Sequence, residues 1–391
     1  MTVFFRKKIL AVTAMILLNA CSTTGESMQS ESFNSSILEN VDVAPTDQAL
    51  TFARIMVNNE RHIIVVTKFL NGKVEGVDLT RAMSGDVDDP ISAYAELGYK
   101  GVVKLVNDSQ AEYSITANIN QLIIPVDLEE KHIAAGLNYI AHAGETGVKS
   151  GPFLFSKRVI PTGSYENVAI QKGLLDYEVE LAAVTLGPVR EGKLPNEYGL
   201  ILTNDFTNRA TLLRNIDIND VTSGKGFAEG KSSPGFLPVG NLFVIPNNPK
   251  EFAQNLTMKL FVNDDLRQQG TTNMMVWDFE RIVTEVWAKK EVTWDYKGKL
   301  VKLMADEPFI KTRTLIMSGT PEGVVFQGIP FSTKLAGIFS WTMGGWDSSV
   351  PENVIEAYIS NSEESELYLQ ASDTVSIHVN NLGTLNNKIV P

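Results

Sequence analysis

Beyond Ile124-Pro125 the chain is written in short, β-branched stretches punctuated by glycine, with few long helical patterns. Stretches of that length cannot supply the long apolar faces of a helical bundle, so this part of the chain must bury its apolar groups in sheets. Leu256 to Asn263 and Val375 to Val379 alternate as half-buried strands do, and Phe279 to Lys289 is the clearest helix, with Phe279, Ile282, Val283 and Val286 on one face. Upstream, from Ala49, alternating stretches such as Ile63 to Phe69 lead to a helix around Ile91 to Leu97. The expected fold class is α+β and mostly β. A small N-terminal α+β domain is expected over 46–128, followed by a larger β-rich domain over 129–391, and the chain shows no internal repeat.

The N-terminus carries a different message. Arg6, Lys7 and Lys8 precede an apolar run from Ile9 to Leu18, too short to span a bilayer but ordered like a secretory signal. The run ends in Leu18-Asn19-Ala20-Cys21, which resembles the lipobox of bacterial lipoproteins and implies cleavage after residue 20 with lipidation of Cys21. Cys21 is the sole cysteine, so no internal disulfide can form, which suits an oxidising envelope. Ser22 after the cysteine implies sorting to the outer membrane, facing the periplasm. Residues 21–45 are rich in Ser, Thr, Glu and Asn and are expected to act as a flexible tether. With 46 acidic against 34 basic side chains and a net charge of −12, the chain repels phosphate backbones, so nucleic acid is not an expected partner.

Several chemistries fail on spacing. Gly224 to Ser232 reads GKGFAEGKS, with five residues between the outer glycines where a phosphate-binding loop requires four. The chain has no G-x-S-x-G, H-E-x-x-H or G-x-G-x-x-G pattern and no cysteine pair, so triad hydrolysis, zinc peptidase chemistry and dinucleotide binding lack support. A carboxylate cluster does stand out, in Asp176-Tyr177-Glu178-Val179-Glu180. On a strand Glu178 and Glu180 share a face, and a divalent cation is a common way to keep two such close carboxylates ionised. Taken alone, the same spacing also describes a solvated strand face.

The neighbouring segments, read in order, decide between these. Gly136-Leu137-Asn138-Tyr139 leads to His142 and Glu145, then Phe155 and Lys157, then the Asp176 block and Thr203 to Arg209. Lys231 and Pro238 follow, then Asn263 with Arg267-Gln268 and Gly270, Gly319-Thr320-Pro321-Glu322-Gly323, and Leu382 to Asn387. This series is similar to the fumarylacetoacetate hydrolase family over about 130–324 and again over 372–390. The resemblance implies a mixed β-roll catalytic domain, a homodimer, and one divalent metal held by Glu178, Glu180 and Asp205. The metal is usually Mg²⁺, and all-oxygen ligation also suits Mn²⁺ or Ca²⁺. The implied reaction is hydrolysis of a carbon–carbon bond in a diketo acid, with His142 as base, Glu145 orienting it and Lys231 as a fixed positive charge. Arg267, Gln268 and Thr320 are implied to bind substrate.

Departures from the pattern flank the implied site. Ala210 follows Arg209 where Asp is common, and Ser233 stands two after Lys231 where an aromatic is frequent. The stretch from about 325 to 370 is tens of residues longer than the usual connection and includes Phe331, Phe339, Trp341 and Trp346. A long excursion of this kind reads as a packed lid or subunit contact, or as packing without further role. Two function classes follow: a metal-dependent hydrolase of a small diketo or oxo acid, with oxaloacetate decarboxylase or enol–keto isomerase on the same site, or a non-enzymatic envelope lipoprotein that kept the fold for binding. Joint retention of a base, an acid partner and the carboxylates favours the enzyme, since binding alone needs no base.

Overall fold

The computed structural model describes residues 33–85, 87–109, 111–146, 151–304, 307–342 and 348–391. They fall within one compact unit, Ser32–Pro391. The signal segment, Cys21 and Trp346 lie outside the described residues. Among the described residues no helix is long and apolar enough to cross a membrane.

Strands β1 (Ala49–Val57), β2 (Glu60–Leu70) and β3 (Lys73–Asp78) form a meander. Its tight turns use Asn58-Asn59 and Asn71-Gly72, all at positive φ, the backbone that lets a two-residue turn follow the strand twist. Helix α1 (Pro90–Ser109) is kinked at Gly98, whose φ of 64° and ψ of 173° lie outside the helical region, so the expected Ile91–Leu97 helix continues past a break. β4 (Ser114–Asn118), β5 (Lys131–Gly136) and β6 (Phe153–Arg158) follow, with the short helix α2 (Ile140–Thr146) between the last two. β7 (Val179–Val184), β8 (Gly199–Asn204), helices α3 (Arg209–Asn215) and α4 (Phe227–Lys231), and β9 (Phe243–Pro246) complete the middle of the chain.

The C-terminal third contributes β10 (Thr257–Val262), β11 (Asp265–Thr271), helix α5 (Phe279–Ala288) and β12 (Leu315–Met317). Helices α6 (Phe331–Thr342) and α7 (Val350–Glu364) and strands β13 (Thr374–Val379) and β14 (Gly383–Val390) end it. Helix α5 matches its expected span and buries the expected face of Phe279, Ile282, Val283 and Val286; the Asp278 side chain caps it by accepting the Arg281 N–H.

The large sheet runs β4-β3-β2-β1-β9-β8-β7-β12-β5-β6, with Leu122–Ile123 added beside β1. Its pairs are antiparallel except β12 with β5. A second sheet has the order β11-β10-β13-β14, closed by Val168–Ala169. The boundary expected near residue 128 is bridged by this arrangement, because β1 pairs with β9 from Ala49↔Pro246 to Phe52↔Phe243. The N-terminal meander therefore extends the same sheet that carries β7 and β8, and its Leu50, Phe52 and Val65 share one apolar cluster with Ile201 and Met317. Of the residues expected as tether, the described part packs on the fold: Leu38, Val41 and Ala44 are buried, and Val41 bridges to Phe69. Apolar residues at three-residue spacing in an otherwise polar stretch were enough to dock it.

The described residues within 325–370 include two packed helices, α6 and α7. Ile355, Tyr358 and Ile359 of α7 bury against Leu213 and Ala210 of α3, and Arg214 makes a two-pronged ion pair with Glu356 at 2.6 and 2.7 Å. α6 packs on α7 through Gly337, where a Cβ would lie 2.5 Å from the Val354 backbone, and it leaves Phe331 and Phe339 exposed.

Asn138, fully buried after β5, ties three segments together. Its amide donates to the Trp277 and Ser318 carbonyls at 2.9 and 2.8 Å and accepts the Trp277 N–H at 2.7 Å. Asn138→Ala strands three buried backbone groups and is expected to cost about 2 to 4 kcal/mol, read as a lower urea midpoint at unchanged m-value. A midpoint within experimental error of the parent would remove Asn138 from this structural role.

Candidate functional site

β7 and β8 pair antiparallel with Glu180 opposite Thr203, so Glu178 at the start of β7 and Asp205 at the end of β8 fall side by side. The Asp205 N–H donates to the Glu178 carbonyl at 2.9 Å, and the Asn204 side chain accepts the Glu178 N–H at 3.0 Å. These bonds fix the strand ends and leave the side chains free to converge. One oxygen from each of Glu178, Glu180 and Asp205 lies within 4.8 Å of the others, and all three residues are buried. The sequence expectation placed the same three residues together.

Three buried cations surround them. Lys231, at the end of α4, donates to Glu178 Oε2 and Asp205 Oδ2, both at 2.8 Å, and to Thr207 Oγ1 at 2.7 Å. An ammonium has three protons, so Lys231 spends its donors on the protein and orients two carboxylates. Lys157 of β6 bonds the other Asp205 oxygen and the Lys231 carbonyl. Arg209 donates from Nε to Asp176 at 2.8 Å and from a terminal nitrogen to Glu178 at 2.5 Å. Glu180 receives the Gly319 N–H at 3.0 Å and, among the described residues, has no cationic partner.

Electrostatics follow this wiring. Burial works against ionisation of Glu178, yet the Lys231 and Arg209 charges, aided by His142, outweigh it and hold the carboxyl down at about 2. Glu180 moves the opposite way, pushed well up by burial and then by the Asp205 and Glu178 charges. Lys231 is raised, because Asp205 and Glu178 outweigh its burial, whereas Lys157 is lowered, chiefly by burial. Four carboxyl groups face three cations, and among the described residues Glu180 is the one of the four without an ion-pair partner. Hard oxygen donors with one negative charge in excess fit a divalent cation.

Above the carboxylates lies a cavity of about 230 Å³ lined by His142, Glu178, Arg209, Lys231, Gly319 and Thr320, with apolar walls from Phe155, Leu212, Phe326 and Ile355 among others. His142, on α2, has Nδ1 3.5 Å from Glu145 Oε2. Glu145 is anchored in turn by the Gly323 N–H, 3.0 and 3.1 Å from its two oxygens. Gly323 has a φ of +100°, and a Cβ there would sit 1.9 Å from the Arg267 carbonyl, so only glycine can present that N–H.

The residues implied to bind substrate separate. Thr320 lies on the cavity wall. Gln268 is buried behind it: its Oε1 accepts the Val179 N–H at 2.9 Å and its Nε2 donates to Thr320 Oγ1 at 2.8 Å and to the Pro321 carbonyl at 2.9 Å. It positions Thr320 and the start of β7. Arg267 points to the opposite side of β11, half exposed and paired with Asp265 at 3.0 Å, and does not line the cavity. Strand alternation makes one of two adjacent residues face away. Sequence reasoning gave no role to Lys157, Asp176 or Arg209. Their signal was a place in the ordered series, but a lysine or arginine in isolation does not reveal which carboxylate it will meet.

An acid whose native pKa exceeds its unfolded value binds its proton more tightly when folded, so stability falls as pH rises from the ordinary carboxylate range toward that native pKa. For Glu180 this predicts that, in EDTA at neutral pH, Glu180→Gln unfolds at an equal or higher urea concentration than the parent. Added Mn²⁺ should then stabilise the parent and leave the variant nearly unchanged. A Glu180→Gln protein that gained as much from Mn²⁺ as the parent would place the ion elsewhere.

Comparison with known proteins agrees with this geometry. Residues 131–390 match the family model described as fumarylacetoacetate (FAA) hydrolase C-terminal. A mitochondrial oxaloacetate tautomerase of Homo sapiens is 29% identical over 225 residues, which cover 54% of this chain and 62% of that protein. A 2,4-didehydro-3-deoxy-L-rhamnonate hydrolase of Sphingomonas sp. is 30% identical over 210 residues, 51% of this chain and 64% of that protein. The chain thus spans somewhat less than two thirds of the length of these curated relatives. The fold is shared with the fumarylacetoacetate hydrolase of Exiguobacterium antarcticum, at a TM-score of 0.54 and 20% identity over 87% of this chain and 99% of that one. With the family match covering most of both sheets and every residue of the carboxylate cluster, the chain belongs to the fumarylacetoacetate hydrolase C-terminal family.

Proposed function

We propose that the protein is an enzyme that hydrolyses a carbon–carbon bond in a diketo acid of acylpyruvate type, by way of an enolate. The observation that carries this reading is that His142, backed by Glu145, lines the same cavity as Glu178, which belongs to the buried cluster it forms with Glu180 and Asp205. A binding protein needs the cavity but has no use for a supported base beside it. A divalent cation bound by the three carboxylates, Mg²⁺ by donor chemistry with Mn²⁺ or Ca²⁺ as substitutes, supplies positive charge against which an enolate and a 2-oxo carboxylate are stabilised.

The protein's own part is proton handling and orientation. His142 accepts a proton from water, and the resulting hydroxide adds to the ketone farther from the carboxylate. The bond between that carbon and the adjacent methylene breaks. The acyl group leaves as a carboxylic acid, and the methylene carbon takes the proton held by His142, giving a 2-oxo acid. Glu145 favours the imidazolium by charge and fixes the ring, while Thr320, held by Gln268, offers a hydroxyl to the substrate. Lys231, Lys157 and Arg209 keep Glu178 and Asp205 ionised and aimed. A second reading, keto–enol exchange of an oxo diacid, is favoured by the names of the tautomerase relatives and uses the same base without attacking water.

His142→Ala removes the proton acceptor and no carboxylate, so turnover is expected to fall by ~10² to 10⁴-fold with Mn²⁺ affinity unchanged. Glu145→Gln should fall less, because its amide carbonyl still accepts the Gly323 N–H and the imidazole can still take a proton. Full hydrolytic turnover in His142→Ala would refute water activation, and retained enol–keto exchange with lost hydrolysis would favour a different base for the second reading.

We also propose that the chain is lipid-anchored in a bacterial cell envelope through Cys21, on the strength of the Arg6-Lys7-Lys8, Ile9–Leu18 and Leu18 to Cys21 order. Expression with labelled palmitate should mark the parent and not Cys21→Ala; label persisting in the variant would end this proposal.

A further inference from the structure

We propose that the site selects oxo acids whose far end is apolar, an alkyl chain or an aryl ring, and that the 325–370 insertion is the element that makes this choice. The inference rests on the oxo-acid reading above. The cavity lining is of two unlike kinds. Its ionisable lining residues, His142, Glu178, Arg209 and Lys231, belong to the wired cluster: Glu178 to Lys231 and Arg209, and His142 to Glu145.

Apart from Thr320, the remaining side chains of the wall are apolar. Leu212, Leu213 and Ile216 come from α3 and its end, and Phe326, Ile329 and Ile355 come from the insertion. Among the described residues, the lysine, arginine and histidine side chains on the lining are Lys231, Arg209 and His142, all paired within the cluster; Arg209, 5.6 Å from the Phe326 ring centre, already bridges Asp176 and Glu178. A dicarboxylate would have to bury its distal charge against Leu213, Ile329 and Ile355, which is strongly unfavourable without a partner. An apolar tail instead removes its own surface and theirs from water.

The insertion is built to hold that wall. α7 is started by a reciprocal cap, with Ser349 accepting the Glu352 N–H and Glu352 accepting the Ser349 N–H, and it is clamped to α3 by Arg214 and Glu356. The Tyr358 and Tyr368 hydroxyls meet at 2.6 Å behind it. Ile355 is thus presented from a fixed helix, and a fixed wall discriminates better than a mobile one.

The test measures binding and does not depend on turnover. The full chain, loaded with Mn²⁺, is titrated by calorimetry with pyruvate, 2-oxobutanoate, 2-oxohexanoate and 2-oxooctanoate, and with the diacids 2-oxoglutarate and 2-oxoadipate. Affinity is expected to rise about three- to fourfold per methylene along the monoacid series until the cavity is filled, with both diacids at or below the affinity of pyruvate. Ile329→Gln and Ile218→Gln change partly exposed lining positions, so both should fold, and each should flatten the chain-length dependence while leaving pyruvate affinity unchanged. If no oxo acid binds, the oxo-acid reading itself fails. If pyruvate binds but diacids bind more tightly than 2-oxooctanoate, the apolar selection fails alone. A methylene series as steep in Ile329→Gln as in the parent would take the choice away from the insertion.

Discussion

The structure is organised around a buried charge cluster. Glu178, Glu180, Asp205 and Asp176 lie with Lys157, Lys231 and Arg209 in a region almost closed to water, and few arrangements of seven ionisable groups survive there. Burying each charge singly would cost several kcal/mol, so every partner must be present and correctly aimed. The cluster achieves this by sharing: Lys231 serves Glu178 and Asp205, Arg209 serves Asp176 and Glu178, and Lys157 serves Asp205. Glu180 is left with a backbone N–H in place of a cation, and its displaced pKa is the electrostatic trace of a site prepared for one more positive charge.

The scaffold explains how so precise an arrangement is held. β7 and β8 sit in the interior of the large sheet, flanked by β12 and β9, so their backbone donors and acceptors are committed to neighbours. The side chains that close the site come from turns pinned to these strands. Asn138 locks the end of β5 to Ser318 and Trp277, Gln268 reaches from the second sheet to Val179 and Thr320, and Gly323 holds Glu145. The extension of the sheet by β1 to β4 adds a continuous apolar layer beneath the site and explains why the N-terminal region does not form a separate body. His142 thus stands on a short helix while the carboxylates stand at the ends of strands held on both sides by the sheet.

Parts of this were legible in the chain itself. The mostly β character beyond residue 126, the span and buried face of Phe279–Ala288, and the strand Thr374–Val379 follow from local periodicity, which is a property of neighbouring residues. Strand alternation put Glu178 and Glu180 on one face and a single helical turn set His142 beside Glu145, whereas Asp205 joined them only through the family resemblance of the ordered series. Other features were not legible. Whether Arg267 or Gln268 faces inward depends on the register of β11, and a one-residue difference reverses the answer.

What the sequence by itself determined was therefore the inventory: the clustered carboxylates, the His142-Glu145 pair, the glycine-bearing turn, and an aromatic-rich excursion of unusual length. Tertiary structure decided the partners. The pairing of Lys231 and Lys157 with Asp205 joins residues 26 and 48 positions apart, and the Arg209 bridge to Asp176 spans 33, distances over which no local pattern operates. The insertion became a wall of the cavity only because α7 docks on α3, through contacts between Ile355 and Leu213 and between Glu356 and Arg214. Burial, and with it the shifted pKa values and the apolar character of the cavity, arises from the packing of segments remote in sequence.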